Sequence, residues 1–252
     1  MQTEHIDVSV NDAIMTIRIQ RPEKKNALTT AMYGAMKAAV EDAAQRDDVR
    51  VVLLQGTDDC FTAGNDLGDF QRRGQSDTNE ESVALRFIGS LMALDKPVVA
   101  AVNGLAIGIG VTMLLHCDFV YVGESAALRT PFVDLGLCPE AASSLLLPLM
   151  VGARRAADIL LAADTLSGSE AVACGLANAV FADSELMQRA REQALKLASK
   201  PPMAMRQSKR LLKRAWAEQV RQTIEVEGQV FGELLRSPEA QAIIGAFLAP
   251  KK

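Results

Sequence analysis

Two glycine-bearing segments and one downstream carboxylate are the residues of this chain best suited to chemistry. The segments are residues 61–67, FTAGNDL, and residues 103–110, NGLAIGIG; Glu140 follows in the sequence Cys138-Pro-Glu140. Glycine lets a backbone approach a ligand closely and turn its N–H groups toward it, so two such segments could offer one oxygen a pair of donors. A nearby carboxylate would complete a site that forms an enolate.

Both segments follow apolar runs that predict buried strands, residues 49–55 and 97–102. Open α/β sheets bind ligands at the ends of such strands. The second segment also opens a predicted helix, so a dinucleotide-binding loop is an alternative. That loop needs glycine or alanine where this chain has Met113, and no Gly-Lys-Ser/Thr follows for a P-loop. The residues alone leave a structural strand–helix turn and an active-site turn equally open.

The remaining pattern predicts an α/β protein of repeated strand–helix units. Alternating residues around Asn11-Asp12 predict a β-hairpin of residues 6–10 and 15–19. Further strands are predicted at residues 118–122 and 177–181, and helices at residues 29–45 and 110–117. Residues 56–75 are predicted as a loop.

Three pairs of residues predict where later helices begin. Thr78 with Glu81, and Ser167 with Glu170, have the spacing of capping boxes. The first opens a helix with Val83, Phe87 and Leu91 on one face. The chain is predicted to be helical from Ser184 onward, with Ser237-Pro238 as an N-cap and a first-turn proline.

Composition restricts the class of protein. A chain of 252 residues, 49% hydrophobic, suits one domain with a helical appendage. A net charge of −4 disfavours a general nucleic-acid binder. The four cysteines are widely spaced, which predicts reduced thiols rather than a zinc or redox site. With no signal or membrane segment seen, and Ala-Pro-Lys-Lys252 unlike a peroxisomal address, a bacterial cytoplasm is expected.

Four motifs, in order along the chain, resemble the crotonase superfamily, the enoyl-CoA hydratases and isomerases. They are residues 21–28 (RPEKKNAL), AGND at residues 63–66, the second glycine segment, and LHCD at residues 115–118. The likeness runs from about residue 6 to residue 181. Residues 61–67 and residues 130–140, TPFVDLGLCPE, are most similar to peroxisomal-type Δ3,Δ2-enoyl-CoA isomerases.

The resemblance implies a ClpP/crotonase-like α/β fold of repeated ββα units. Residues 1–182 would form the core with an acyl-CoA site, and residues 183–252 a helical trimerisation region of the same domain. A homotrimer, or a hexamer made as a dimer of trimers, is the implied assembly. No metal or separate cofactor is implied, because coenzyme A enters as part of the substrate.

The resemblance also implies a role for individual residues. The backbone N–H groups of Asn65 and Ile109 would form an oxyanion hole, and Glu140 would be the catalytic base. The implied substrate and CoA contacts are Lys24, Lys25, Ala63, Gly64, Asn65, Asp66, Leu67, Gly108 and Phe132. From the residues alone, the two lysines are also consistent with a solvated loop, and Glu140 with a solvated helix start.

Two departures from the family pattern decide the predicted reaction. Hydratases of the family carry glutamates where this chain has Thr112 and Phe132, and dienoyl-CoA isomerases use an acid at the second of these positions. Adding water needs an acid and a base, whereas one carboxylate can move a proton from C2 to C4. The sequence therefore predicts a Δ3,Δ2-enoyl-CoA isomerase.

Other functions remain as alternatives. One is hydration, hydrolysis or decarboxylation of another acyl-CoA. A more remote one is an RNA-binding or non-catalytic family member that uses the basic run Lys196, Lys200, Arg206, Lys209, Arg210, Lys213 and Arg214. Asp134 is expected to be a turn or ion-pair residue rather than a second acid. His5 and His116 are expected to be structural, because no serine-hydrolase motif accompanies them.

Overall fold

The computed structural model describes residues 4–75 and 82–249, in which short units of two strands and a helix recur. The strands are β1 Ile6–Asn11, β2 Ile14–Ile19, β3 Val51–Gln55, β4 Cys60–Thr62, β5 Val98–Val102, β6 Leu105–Ile107, β7 Phe119–Gly123, β8 Ala127–Arg129, β9 Leu166–Ser167 and β10 Ala179–Phe181. The helices of the first part are α1 Thr30–Gln45, α2 Leu67–Gly74, α3 Val83–Ala93, α4 Ile109–Thr112, α5 Ser143–Val151, α6 Ala153–Leu160 and α7 Gly168–Ala173. Those of the C-terminal part are α8 Asp183–Ala198, α9 Pro202–Arg214, α10 Ala217–Leu235 and α11 Pro238–Leu248.

The strands belong to two sheets. The larger has the order β1-β2-β3-β5-β7-β10 and is parallel except for the β1-β2 hairpin. The smaller has the order β4-β6-β8-β9 and is parallel except for β9. Each consecutive pair, β3-β4, β5-β6 and β7-β8, therefore gives one strand to each sheet. This is the ββα fold that the sequence resemblance implied.

Burial of both faces explains why β3 and β5, in the middle of the larger sheet, are almost entirely hydrophobic. On β3, Val52 and Leu54 face the cluster that includes α1 and α3, while Val51 and Leu53 face the other side. That second face is covered by α8, with Leu186, Ala190 and Ala194 fully buried. The helical C-terminal part thus begins with a helix that completes the core.

Most local predictions are confirmed. The hairpin, the helix after Thr29 and the strands all form, with ends shifted by one or two residues. Ser167 and Glu170 make a complete capping box, and the Ser237 hydroxyl accepts from the Ala240 N–H at 3.2 Å. Thr78 and Glu81 lie outside the described residues, while Phe87 and Leu91 of α3 are buried as predicted.

The prediction of a loop over residues 56–75 is wrong. This stretch contains β4, whose Phe61 is fully buried, and the two-turn helix α2. Asp66 starts that helix, because its Oδ1 accepts the N–H groups of Gly68 and Asp69 at 3.0 and 3.2 Å. The helix predicted at residues 110–117 also differs, since one α-turn, α4, passes into a 3-10 helix at Met113–His116.

No helix within the described ranges has the length and apolar character needed to cross a membrane.

Candidate active site

The two glycine segments leave neighbouring parallel strands at the same sheet edge. β4 pairs with β6, so the chain beyond Thr62 runs beside the chain beyond Ile107. Gly64 has φ +87°, and a Cβ added there would lie 2.6 Å from the Ile107 carbonyl oxygen. Glycine is required at this position, because any side chain would force the two segments apart.

The backbone N–H of Asn65 in the first segment and that of Ile109 in the second have no acceptor among the described residues. The adjacent N–H groups of Asp66 and Gly108 are occupied, since they donate to carbonyl oxygens at 2.9 and 2.8 Å. Ile109 is fully buried, and a buried N–H without a partner is costly. The pair is suited to binding an oxygen that gains negative charge.

Glu140 lies against the helix that Ile109 begins. The Thr112 hydroxyl, at the end of α4, donates to Glu140 Oε1. The glutamate is 6% exposed, and this burial raises its pKa to about 8; the Thr112 hydrogen bond opposes the shift and the nearby Glu227 adds to it. A carboxylate with a pKa near neutral is a strong enough base to take a proton from carbon.

A cavity connects Glu140 with the first glycine segment. The cavity is also lined by the first glycine segment, by α2, by α3 with the residue before it, and by α10. The lining residues from these elements are Asn65, Phe70, Arg73, Ser82, Ala84, Leu85, Gly228 and Phe231. Of these described lining residues, Glu140 is the single carboxylate. Asp134 pairs with Arg129 at 2.8 Å, which confirms the prediction that it is an ion-pair residue rather than a second acid.

Two of the predicted substrate contacts, Gly108 and Phe132, lie beside the residue that carries the free Ile109 N–H. A Cβ added at Gly108 would lie 3.8 Å from the ring of Phe132, so this buried phenylalanine packs beside the Gly108 turn. Gly108 has φ 57° and ψ −115°, a conformation that side chains disfavour. Phe132, which the sequence resemblance places where hydratases carry a glutamate, therefore forms an apolar boundary here.

The predicted CoA-side residues lie at the edge of this arrangement. The Ala63 N–H donates to the Lys25 carbonyl oxygen at 2.8 Å, so the loop with Lys24 and Lys25 packs against the first glycine segment. Both lysines are exposed. The Asp66 carboxylate is already used, because it caps α2, which starts at Leu67, and pairs with Arg21 at 2.9 Å.

Sequence reasoning missed Tyr33. Its hydroxyl donates to Asn65 Oδ1 at 2.7 Å, fixing the side chain that follows Gly64. Burial raises the pKa of Tyr33 well above its ordinary value, and the charge of Glu140 adds to this. Tyr33 sits on the buried face of α1 among apolar residues, so its position in the sequence predicts only a core aromatic.

His116 has a structural contact, as predicted, and that contact is with the loop that carries Glu140. Its Nε2 lies 2.8 Å from the carbonyl oxygen of Ala141, the residue after Glu140. Burial lowers the pKa of His116 to about 4, so the ring is neutral near pH 7. Within the described ranges no three His, Cys, Asp or Glu side chains lie close enough together to bind a metal ion.

Comparison with known proteins assigns the family. The family model described as enoyl-CoA hydratase/isomerase matches residues 9–252. The human protein enoyl-CoA delta isomerase 2 is 34% identical over 98% of this chain, and the chain spans 64% of that relative's length. The chain belongs to the enoyl-CoA hydratase/isomerase family.

Other relatives differ in their described reaction. The 2,3-dehydroadipyl-CoA hydratase of Escherichia coli strain K12 is 29% identical, over 96% of this chain and 94% of that protein. The solved structure of OdaA from Pseudomonas aeruginosa is 45% identical, with a TM-score of 0.94 over 98% of this chain and all of that one. Isomerases and hydratases both occur among the relatives, so membership of the family does not by itself fix the reaction.

Proposed function

We propose that this protein is a Δ3,Δ2-enoyl-CoA isomerase. The observation that carries the proposal is the single carboxylate, Glu140, among the described residues that line the cavity. The two positions where hydratases similar to this chain carry glutamates are filled by Thr112 and Phe132, which cannot titrate near neutral pH.

The proposed reaction uses the groups already described. The thioester oxygen binds between the N–H groups of Asn65 and Ile109. Glu140 removes a proton from C2, the electron pair moves onto the thioester oxygen, and C4 then takes the proton back as the C2–C3 double bond forms. Each N–H contributes roughly 3 kcal/mol to the charged intermediate.

Thr112 and Phe132 explain why water addition is not favoured. The Thr112 hydroxyl holds one carboxylate oxygen of Glu140, leaving the other free for the proton. Phe132 places a ring beside Gly108 where a second acid would be required. With a single carboxylate among the described lining residues, the site has no second carboxylic acid to protonate the α-carbon while Glu140 activates water.

A substrate panel tests this proposal. Purified protein is expected to convert 3-enoyl-CoA to trans-2-enoyl-CoA at least about a hundredfold faster than it hydrates 2-enoyl-CoA, since general acid–base groups contribute factors of this size. Products of 3-enoyl-, 2-enoyl- and dienoyl-CoA would be separated by liquid chromatography. Efficient formation of 3-hydroxyacyl-CoA would show that the protein is a hydratase.

The arrangement of α9 disfavours the RNA-binding alternative. Arg206 and Arg210 both pair with Asp95, at 3.8 and 2.6 Å. Lys209 pairs with Asp118 at 2.7 Å and is almost fully buried. Part of the charge of the basic run is thus offset within the protein, which lowers its attraction for phosphates.

We also propose that the protein assembles as a homotrimer or as a dimer of trimers. Met203, Leu211 and Leu212 on α9 are 77%, 67% and 81% exposed, and exposed apolar residues grouped on one helix are typical of an interface. Light scattering should give a mass of three or six times 27.1 kDa. A mass of 27.1 kDa at micromolar concentration would refute the assembly.

A further inference from the structure

Glu227 is a buried carboxylate that bonds to the loop carrying Glu140. It lies on α10, is 7% exposed, and accepts two backbone N–H groups. Oε2 accepts from Ala142 at 2.6 Å and Oε1 from Ser144 at 2.9 Å. The thiol of Cys138 lies 3.9 Å from the backbone oxygen of Glu227. Contacts from this one residue therefore fall on both sides of Glu140.

The loop needs such an anchor, because its backbone is strained. Ala141 and Ala142 have φ of 58° and 59°, the left-handed region that residues with a side chain seldom adopt. Such a conformation destabilises the chain locally and persists only where the surroundings hold it. The His116 ring hydrogen-bonds to the Ala141 carbonyl oxygen, and the Glu227 carboxylate accepts the N–H of Ala142.

We propose that Glu227 is a positioning residue for Glu140: its carboxylate holds the strained turn that aims the catalytic carboxylate at the substrate, and its charge keeps that carboxylate basic. The proposal rests on the proposed function, in which Glu140 carries the proton. It assigns α10 a part in catalysis as well as in packing.

The groups around Glu140 allow the charge effect to be isolated. Tyr33 faces it from α1, Arg73 lines the same cavity from α2, Cys138 precedes it in its own loop, and His116 contacts the carbonyl oxygen of the next residue, Ala141. Burial raises the pKa of Cys138 to about 11 and lowers that of His116 to about 4. Near pH 7, these two and Tyr33 are uncharged, and Arg73 remains a cation. A change in the titration of Glu140 after a change at Glu227 therefore reports on Glu227.

Three variants test the proposal: Glu227→Gln, Glu227→Asp and the control Glu225→Gln. Glu225 lies on the same helix, is exposed, and pairs with Arg221 at 2.7 Å. We expect Glu227→Gln to lower kcat about tenfold with KM nearly unchanged, because the base is misaligned while binding is kept. The acid limb of kcat should move to lower pH by about half a unit or more, since a neighbouring negative charge is lost. Glu227→Asp should keep the wild-type limb.

The outcomes separate positioning from packing. A kcat and acid limb like those of Glu225→Gln would overturn the proposal. A lower Tm together with an unchanged acid limb of kcat would also overturn it, because a residue that only stabilises the fold would behave in this way. Carbon-13 NMR titration of the glutamate carboxyls needs no turnover, so the Glu140 pKa should fall in Glu227→Gln even if the isomerase assignment failed; an unchanged Glu140 pKa would overturn the electrostatic role.

Discussion

Glu140→Gln is expected to lose at least about a hundredfold in isomerase kcat. The amide keeps the shape of the glutamate and can still accept the Thr112 hydroxyl, but it cannot take a proton from C2. The measurement is turnover of 3-enoyl-CoA beside wild type and beside Glu225→Gln, which changes an exposed carboxylate. Near-normal turnover would remove Glu140 from the reaction.

The same variant should be more stable than wild type at high pH, which excludes misfolding as the cause. The pKa of Glu140 rises from 4.5 to about 8 on folding, so between these values the folded state holds a proton that the unfolded state releases. Wild-type stability therefore falls as pH rises through this window. The Tm of Glu140→Gln should match wild type near pH 4.5 and exceed it near pH 9.

Gly108→Ala is expected to cost about a hundredfold in kcat without a steric collision. The nearest atom to the added methyl group is 3.8 Å away, so the effect comes from the backbone: alanine disfavours φ 57° with ψ −115° and turns the next N–H, that of Ile109, away from the oxyanion. One lost oxyanion donor is worth on the order of 3 kcal/mol.

The matched control is Gly34→Ala on α1, where no atom lies within 4 Å of the new methyl group and helix propensity improves slightly. Gly110 is a poorer test, because a Cβ there would lie 2.6 Å from a methyl group of Thr62 and would disturb packing. If Gly108→Ala kept wild-type turnover, the oxyanion role of Ile109 would be wrong.

The parts of the fold that local pattern determines were predictable. β5 is apolar throughout, and β3 is apolar up to Gln55, because both faces are buried. The caps at Ser167 and Ser237 depend on residues at most three apart. The smaller sheet was not predictable, because its strands have only two or three residues, too few to show alternation. Its order places the two glycine segments side by side.

The residues of the candidate site likewise divide into those that sequence motifs indicate and those that only the folded structure distinguishes. Glu140 and the glycine segments were found from motifs, because each is a short run with its own signature. Tyr33 and Glu227 were not, because only packing distinguishes them from ordinary helix residues. Glu225 and Glu227 look equivalent in the sequence, yet one pairs with Arg221 at the surface and the other bonds two buried N–H groups.

The path of the transferred proton tests the central claim most directly. The measurement uses 3-enoyl-CoA with deuterium at C2, with the product examined by NMR at C4. Because Glu140 is only 6% exposed, the deuteron that it removes should in part return to C4 before it exchanges with water. The account predicts deuterium at C4 with wild type and no comparable transfer with Glu140→Gln. Label transfer at the wild-type rate in Glu140→Gln, or a 3-hydroxyacyl-CoA product from wild type, would contradict it.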